Sequence, residues 1–278
     1  MIPLNIYERG IYEFATTLIE DAGKKLKTEC QNLTITICEK TSYSDIVTTH
    51  DVFIEQFLTK TILKNYPEHS IMAEESYIFG NLSIEGYTWI IDPIDGTTNY
   101  CHSSKDYAIS MALYRNEQPV FGFVYDVANE LIYRGIDGEG STLNGNKMNG
   151  LTRENTCLHN GIVSISFNTM NELNNKGMNV FDWLSQVRGY RYMGCASLEL
   201  CKVAKGEYDL YISTNVYPWD IAAARILIEQ CGGVFISCPK DKSVSQGGKL
   251  FVAAFHSSLL WEETLIYIPD SIKNEYFP

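Results

Sequence analysis

WIIDPIDGTTNY, residues 89–100, decides how the chain is read. Trp89, Ile90 and Ile91 form an apolar, strand-favouring run, and the composition then changes at once to Asp92, Pro93, Ile94, Asp95, Gly96, Thr97 and Thr98. Pro93 cannot donate to a sheet ladder and Gly96 permits a tight backbone path. The expected strand therefore stops at Asp92, and the expected helix opens near Gly96 or Thr97. On such a turn Asp92, the Ile94 carbonyl and Asp95 would aim hard oxygen donors at one place, while the Gly96 and Thr97 N–H groups face an anion. The same aspartates also read as turn and cap residues, the ordinary use of Asp beside Gly.

Working outward, 278 residues suffice for a large core, as one domain or two subdomains. Lys and Arg number 22 against 34 Asp and Glu, a formal net charge of −12, which disfavours nonspecific binding to nucleic acid or an anionic membrane. An anionic substrate would therefore need bound cations. No run approaches the roughly 18 apolar residues of a membrane span, and MIPLNIYERG lacks a basic segment followed by an apolar one, so a cytoplasmic, non-membrane protein is expected. The eight cysteines form no CxxC pair and read as reduced core thiols. The five histidines lie scattered in turn-like or helix-flanking contexts and read mostly as surface or structural residues.

Residues 5–28 carry apolar side chains at helical spacing, and LTITICEK reads as a short strand. Thr48 or Thr49 is the expected cap of a helix that runs to Asn65 or Tyr66, ahead of Pro67, with Asp51 in its first turn. SIMAEES reads as a strand ending in Glu74 and Glu75, at the place where α/β proteins put ligands. From Asp106 to about Lys147 the pattern is an antiparallel meander. From about residue 152 strands and helices alternate: strand GIVSISF, helix near 171–187, strand YRYMG, helix 197–205, strand DLYIS, helix 219–231 and strand GGVFIS. Asp220 in YPWD is, taken alone, an N-cap.

Several stretches together resemble one family. DPIDGTTN at 92–99, VTTHD at 47–51, AEES at 73–76 and WD followed by a helix and Gly232-Gly233 resemble the elements of the inositol monophosphatase family of metal-dependent, lithium-sensitive phosphomonoesterases. The resemblance runs from about Lys40 to about Gly233 and implies two or three Mg²⁺ ions. It assigns one to Glu74, Asp92 and the Ile94 carbonyl, and a second to Asp92, Asp95 and Asp220. It implies that Thr97, oriented by Asp51 and assisted by Glu74, activates a water, and that Asp95, Gly96, Thr97, Cys195, Ala196 and Asp220 meet the substrate. Cys195 stands where serine is frequent, Ala73 replaces the usual glycine, and Lys40 stands where many members carry a lysine near the site. Ser213 departs from the glutamate that inositol-preferring members often place seven residues before the WD aspartate, and a serine cannot accept as a carboxylate does.

The expected protein is an αβαβα sandwich of the sugar-phosphatase type, a single catalytic unit with subdomains 1–151 and 152–278, and a homodimer. It would hydrolyse small phosphate monoesters of the inositol 1-phosphate type with Mg²⁺ and bind neither nucleic acid nor membrane. The alternatives on the same fold are an NADP(H) 2′-phosphatase or a fructose-1,6-bisphosphatase. From another class, the alternative is a non-catalytic metal-binding regulatory protein.

Overall fold

The computed structural model describes residues 3–30, 33–43, 45–76, 86–150, 157–239 and 248–276. Its order follows from which faces the sequence leaves apolar. Along β5 (Ala108–Arg115) the side chains alternate between two cores: Ile109, Met111 and Leu113 enter one, Ala108, Ala112 and Tyr114 the other. Such a strand must be covered on both sides.

One cover is the pair α1 (Ile6–Thr28) and α2 (Thr49–Asn65), which bury Ile11, Leu18, Ile19, Ile54 and Leu58 against Trp89 and Phe121. The other is the layer of α6 (Ala196–Lys205) and α7 (Pro218–Gln230). A Cβ on Gly122 would stand 2.7 Å from the Ala223 Cα, so the small residues Ala222, Ala223 and Ala224 bring α7 directly onto the sheet.

The seven-stranded sheet runs β3 (Ser70–Ala73), β4 (Tyr87–Asp95), β5, β6 (Gln118–Asp126), β7 (Leu131–Ile136), β8 (Gly140–Leu143) and β9 (Asn146–Met148) in that order. Only β3 and β4 are parallel neighbours; the other pairings are antiparallel, which is the expected meander. The second sheet has the order β11 (Gly189–Arg191), β10 (Ile162–Ile165), β12 (Leu210–Val216), β14 (Leu250–Phe255), β13 (Val234–Pro239). Its far face is covered by α4 (Phe167–Asn175), α5 (Val180–Ser185), α8 (Ser258–Leu265) and α9 (Asp270–Tyr276) through Leu173, Trp183, Leu260 and Tyr276. The layers are therefore α, β, α, β, α.

Four expectations are corrected. β4 does not stop at Asp92: Asp92 pairs with Ser110 and Asp95 with Ala108, so one extra residue bulges between them, and Pro93 sits where no ladder donor is required. The helix expected near 171–187 is two helices, α4 and α5, broken at Gly177, whose φ of +93° ends the first. The strand expected at LTITICEK is β1 (Ile37–Ser42), paired with β2 (Asp45–Thr48) in a separate hairpin. The cysteines are unpaired, as expected, but not all are core: Cys38 is exposed, while Cys30, Cys195 and Cys201 are buried. The expected subdomain boundary at 151/152 lies outside the described residues.

Candidate active site

The site begins with a helix cap. Thr48 is the N-cap of α2, and Asp51, at the third helical position, accepts from the Thr48 N–H (2.8 Å) and from the Thr48 hydroxyl through Oδ2. This leaves Oδ1 facing away from the helix, where it receives the Thr97 hydroxyl at 3.1 Å. The same hydroxyl lies 3.0 Å from the Ile94 carbonyl. Asp51 is completely buried, and that burial raises its pKa against the opposing Thr48 and Thr97 bonds.

The bulge in β4 sets the next two acids. Asp92 accepts from the Ile94 N–H at 3.0 Å, folding its carboxylate over the turn. Asp95 crosses to the second half of the molecule and meets the N-terminus of α6, accepting from the N–H groups of Ser197 (2.6 Å) and Ala196 (3.3 Å) and from the Cys195 thiol (3.2 Å). Gly96 then turns with φ +86° as the N-cap of α3 (Thr97–Ser103), and a Cβ there would stand 3.0 Å from the Asp106 carbonyl and 3.1 Å from the Cys195 Cβ.

Glu74 follows the end of β3, its N–H continuing the parallel ladder to Ile91 O at 3.2 Å. Its carboxylate is held by Lys40 at 2.8 Å, and the same ammonium bonds Glu75 at 2.8 Å. The Glu75 N–H donates to Glu55 at 2.7 Å. Burial beside Glu74 pushes Glu75 up to about 8, against the pull of Lys40. Asp220 is the third residue of α7 and accepts from the Tyr217 N–H at 2.8 Å.

Asp92 and Asp220 are both raised well above the ordinary carboxylate value, first by loss of solvation and then because Glu74 and Asp95 are negative beside each; Asp220 adds to the rise of Asp92, whereas the Tyr217 N–H and the Asp92 side chain oppose that of Asp220. Asp95 is raised for the same reasons, burial first, although its amide and thiol donors oppose the shift. Among the described residues no group of three or more His, Cys, Asp or Glu side chains is placed to hold a metal ion as it stands. Glu74 rests on Lys40, Asp92 on Ile94, Asp95 on α6 and Asp220 on Tyr217. The donor set nevertheless consists only of oxygen, and like-charged carboxylates that raise one another are relieved by a hard cation, so the residues suit Mg²⁺ or Ca²⁺ and not a thiolate- or imidazole-seeking metal.

Two adjoining cavities open here. One, of about 170 Å³, is lined by Asp95, Asp220, Cys195, Ala196 and Ser213; the other, of about 570 Å³, by Glu74, Gly96 and Thr97; Tyr192 and Gly194 line both. The structure thus gathers the expected Asp51, Glu74, Asp92, Asp95, Gly96, Thr97, Cys195, Ala196 and Asp220 in one region, with Lys40 and Ser213 beside them. Ala196 spends its N–H on Asp95. Asn168, Tyr192, Glu199 and Asn215 also line the smaller cavity and were not singled out from the sequence. Tyr211, Ser213 and Asn215 alternate along β12, so the period of two held a signal for Asn215. Of the histidines, His50 bonds Tyr100 at 2.6 Å and His69 accepts from Trp89 at 3.0 Å, both structural.

The family model described as "Inositol monophosphatase family" matches residues 8–267. Inositol-1-monophosphatase of Bacillus subtilis is 35% identical over 226 residues, 81% of this chain and 84% of that protein. A protein of Neisseria meningitidis named "Putative Nus factor SuhB" is 32% identical over 236 residues, 84% of this chain and 88% of its own. Among solved structures, inositol monophosphate-bound SaIMPase-II superposes with a TM-score of 0.79 at 26% identity, covering 95% of each chain. An IMPase/NADP phosphatase complexed with Mg²⁺ and phosphate gives 0.80 at 26%, covering 94% of this chain and 95% of that one. Staphylococcal inositol monophosphatase-1 in a LiCl-soaked inhibitory complex gives 0.80 at 26%, with the same coverage. With sandwich, acids and family agreeing over nearly the whole length, this chain belongs to the inositol monophosphatase family and is a phosphoric monoester hydrolase.

Proposed function

We propose that the protein hydrolyses small phosphate monoesters of the inositol 1-phosphate type with Mg²⁺, by direct attack of water on phosphorus. The observation that carries this reading is the bonded pair Thr97 and Asp51 beside a cluster of acids contributed by both halves of the chain, of which Asp51, Asp92 and Asp95 are buried. The whole chain then acts as one catalytic unit, because Asp95 is anchored by the helix α6 that the second half supplies.

Two or three bound Mg²⁺ ions, held by Glu74, Asp92 and the Ile94 carbonyl and by Asp92, Asp95 and Asp220, would supply positive charge for a phosphate dianion in this acidic pocket. The protein's own part is positional. The single Thr97 hydroxyl proton is committed to Asp51 or to Ile94 O, which leaves an oxygen lone pair to accept from a water and so aim that water's own lone pair at phosphorus. Glu74 lines the same cavity and takes the water's proton as attack proceeds. The Gly96 and Thr97 N–H groups, turned inward by the positive φ at Gly96, hold the phosphoryl oxygens. No serine, cysteine or histidine nucleophile is required.

Ser213 supports a second reading. With no carboxylate at that position to grip ring hydroxyls, an NADP(H) 2′-phosphatase or fructose-1,6-bisphosphatase preference is the alternative, and the likeness to an IMPase/NADP phosphatase favours the former. The relative named as a Nus factor keeps a regulatory role in view. Eight free cysteines support a cytoplasmic setting. Exposed Phe167, Phe181 and Tyr190 support the expected dimer. No helix among the described residues is long and apolar enough to cross a membrane.

The test is phosphate release with Mg²⁺ and with EDTA from inositol 1-phosphate, fructose 1,6-bisphosphate, NADP⁺ and adenosine 3′,5′-bisphosphate, with and without lithium. Metal-dependent, lithium-sensitive release led by inositol 1-phosphate is expected. A kcat/KM order led by NADP⁺ would move the assignment to the second reading, and no release by folded protein would leave the regulatory one.

A further inference from the structure

The helix α3 carries the Thr97 hydroxyl, yet it is seven residues long, none of them buried, and Gly96 gives it no side-chain cap. A helix so short takes its placement from its neighbours. It packs on β2, and Asn99 Nδ2 donates to Met193 O at 2.8 Å and to Asp106 O at 2.9 Å. At about 100° per residue, Asn99 stands about 200° around the axis from Thr97, whereas Tyr100 returns to within about 60° of it. On that shared face two bonds run side by side. Thr97 Oγ1 meets Asp51 Oδ1 at 3.1 Å and Tyr100 Oη meets His50 Nδ1 at 2.6 Å, and the two partners are consecutive residues in the first turn of α2.

The direction of the second bond follows from the other ring nitrogen. His50 Nε2 lies 3.4 Å from the Leu33 carbonyl, which can only accept, so Nε2 carries the proton, Nδ1 accepts and the Tyr100 hydroxyl donates. Burial first, and then the neighbouring Cys30, Tyr107 and Asp51, raise the Tyr100 pKa, so the donor keeps its proton. His50 is 5% exposed, and an unmet Nδ1 would find little water. Neither His50 nor Tyr100 lines either cavity.

We propose that His50 and Tyr100 are positioning residues for the hydrolysis: their bond fixes the rotation of α3 on α2 at which the Thr97 hydroxyl meets Asp51, and they act on turnover through Thr97. This rests on the reading of Thr97 as the group that aims the water. A hydroxyl held by one bond at the first position of a helix still moves when the axis rocks, and a second bond one turn further along the same face removes that freedom. Asn99 and the packing on β2 keep α3 in place when the second bond is lost, so the effect is misalignment of Thr97 and not unfolding.

The test is steady-state hydrolysis at saturating Mg²⁺ by the full chain, with inositol 1-phosphate or whichever of the four esters wild type turns over fastest. Tyr100→Phe keeps the ring edge-on to Tyr107 and removes only the hydroxyl. Its kcat should fall about fivefold, the worth of one hydrogen bond, with KM and calorimetric Mg²⁺ affinity within about twofold of wild type. His50→Leu should match it, and His50→Asn, whose amide oxygen can replace the Nδ1 acceptor, should recover to within about twofold of wild type. In Thr97→Ala the same Tyr100→Phe change should cost nothing more, since the hydroxyl to be aligned is gone. Tyr87→Phe, which removes a phenol bond of 3.2 Å to Glu8 at the other end of β4, controls for the loss of one bond and should keep kcat within about twofold. Circular dichroism establishes that each variant is folded, and if a His50 variant is not, the Thr97 and Tyr100 cycle decides by itself. Wild-type kcat in Tyr100→Phe, an equal fall in Tyr87→Phe, a fall confined to KM or Mg²⁺ affinity, folded His50→Asn no better than His50→Leu, or a full further loss in the Thr97→Ala background would overturn the positioning role and leave the phosphatase reading intact. Unimpaired turnover by Thr97→Ala would overturn the reading of Thr97 beneath it, and no metal-dependent release by folded wild type would overturn both.

Discussion

The Thr97 hydroxyl lies 3.1 Å from Asp51 Oδ1, a bond across 46 positions of sequence that joins the start of α3 to the start of α2. Asp51 spends its other oxygen on Thr48, so a residue that caps one helix also orients the hydroxyl that opens the next. The cap and the proposed catalytic pair are one network. A change at Thr48 would act on both.

Thr97→Ala removes the oxygen that would aim the water and leaves the backbone path through Gly96 unchanged. Turnover should fall about a hundredfold or more with KM changed less than about threefold. Steady-state kinetics on the preferred ester decide it, and a loss confined to KM would remove Thr97 from the chemistry.

Asp95→Asn keeps the shape but has one acceptor oxygen where the carboxylate has two. One of the Ala196 and Ser197 N–H groups then loses its partner, at a cost of about 1 kcal/mol. Activation by Mg²⁺ should disappear while the circular dichroism spectrum is retained. Wild-type turnover by this variant would refute the assignment of Asp95 as a cation ligand.

Gly96→Ala places a Cβ 3.0 Å from the Asp106 carbonyl oxygen on a backbone whose φ is +86°. Backbone strain and crowding together should cost about 2 kcal/mol and lower the melting temperature by about 5 °C. Because the same turn aims the Gly96 and Thr97 N–H groups, activity should fall further than stability does. Scanning calorimetry beside a phosphate-release assay separates the two losses.

Glu199 carries a pH dependence of stability. It is 1% exposed, and burial pushes its pKa from 4.5 up to about 7, against donors from Met193 N–H and Ser164 Oγ, each at 2.7 Å. A carboxyl raised in the folded state binds more protons folded than unfolded between those two values. Its contribution is therefore complete below about pH 4.5 and is lost as pH rises through about 7. The loss amounts to about 3 kcal/mol. Glu199→Gln keeps the acceptor Oε1 and removes the titration, so unfolding free energies from urea titrations at pH 5 and pH 8 should differ by about 2 kcal/mol less in the variant than in wild type.

Local signals carried much of the architecture. Asn5 and Thr48 cap the two helices whose apolar spacing is plain in the sequence, and the alternation along β5 and β6 already marked strands with two apolar faces. Misplaced elements had local causes: Gly177 splits one periodic run into α4 and α5, and the bulge at Pro93 lets β4 continue past a residue that ordinarily stops a strand. The candidate acids were legible through their motifs, at a strand end, in the first turn of a helix or, for Asp92, at the bulge of β4. Asn168 and Glu199 were not, because nothing local separates a polar residue lining a cavity from one facing solvent.

Sequence alone marked which oxygen donors stand in cap and turn motifs, since caps and turns are fixed by neighbours within a few residues. Tertiary structure alone decided that Asp95 is held by the amides of α6, 101 and 102 positions away, that Asp220 lines the same cavity as Asp95, and that Lys40 closes on Glu74 from a separate hairpin. Those relations depend on how α7 seats against Gly122 and where the bulge in β4 turns a carboxylate, and such packing is the joint outcome of distant residues that no short window contains.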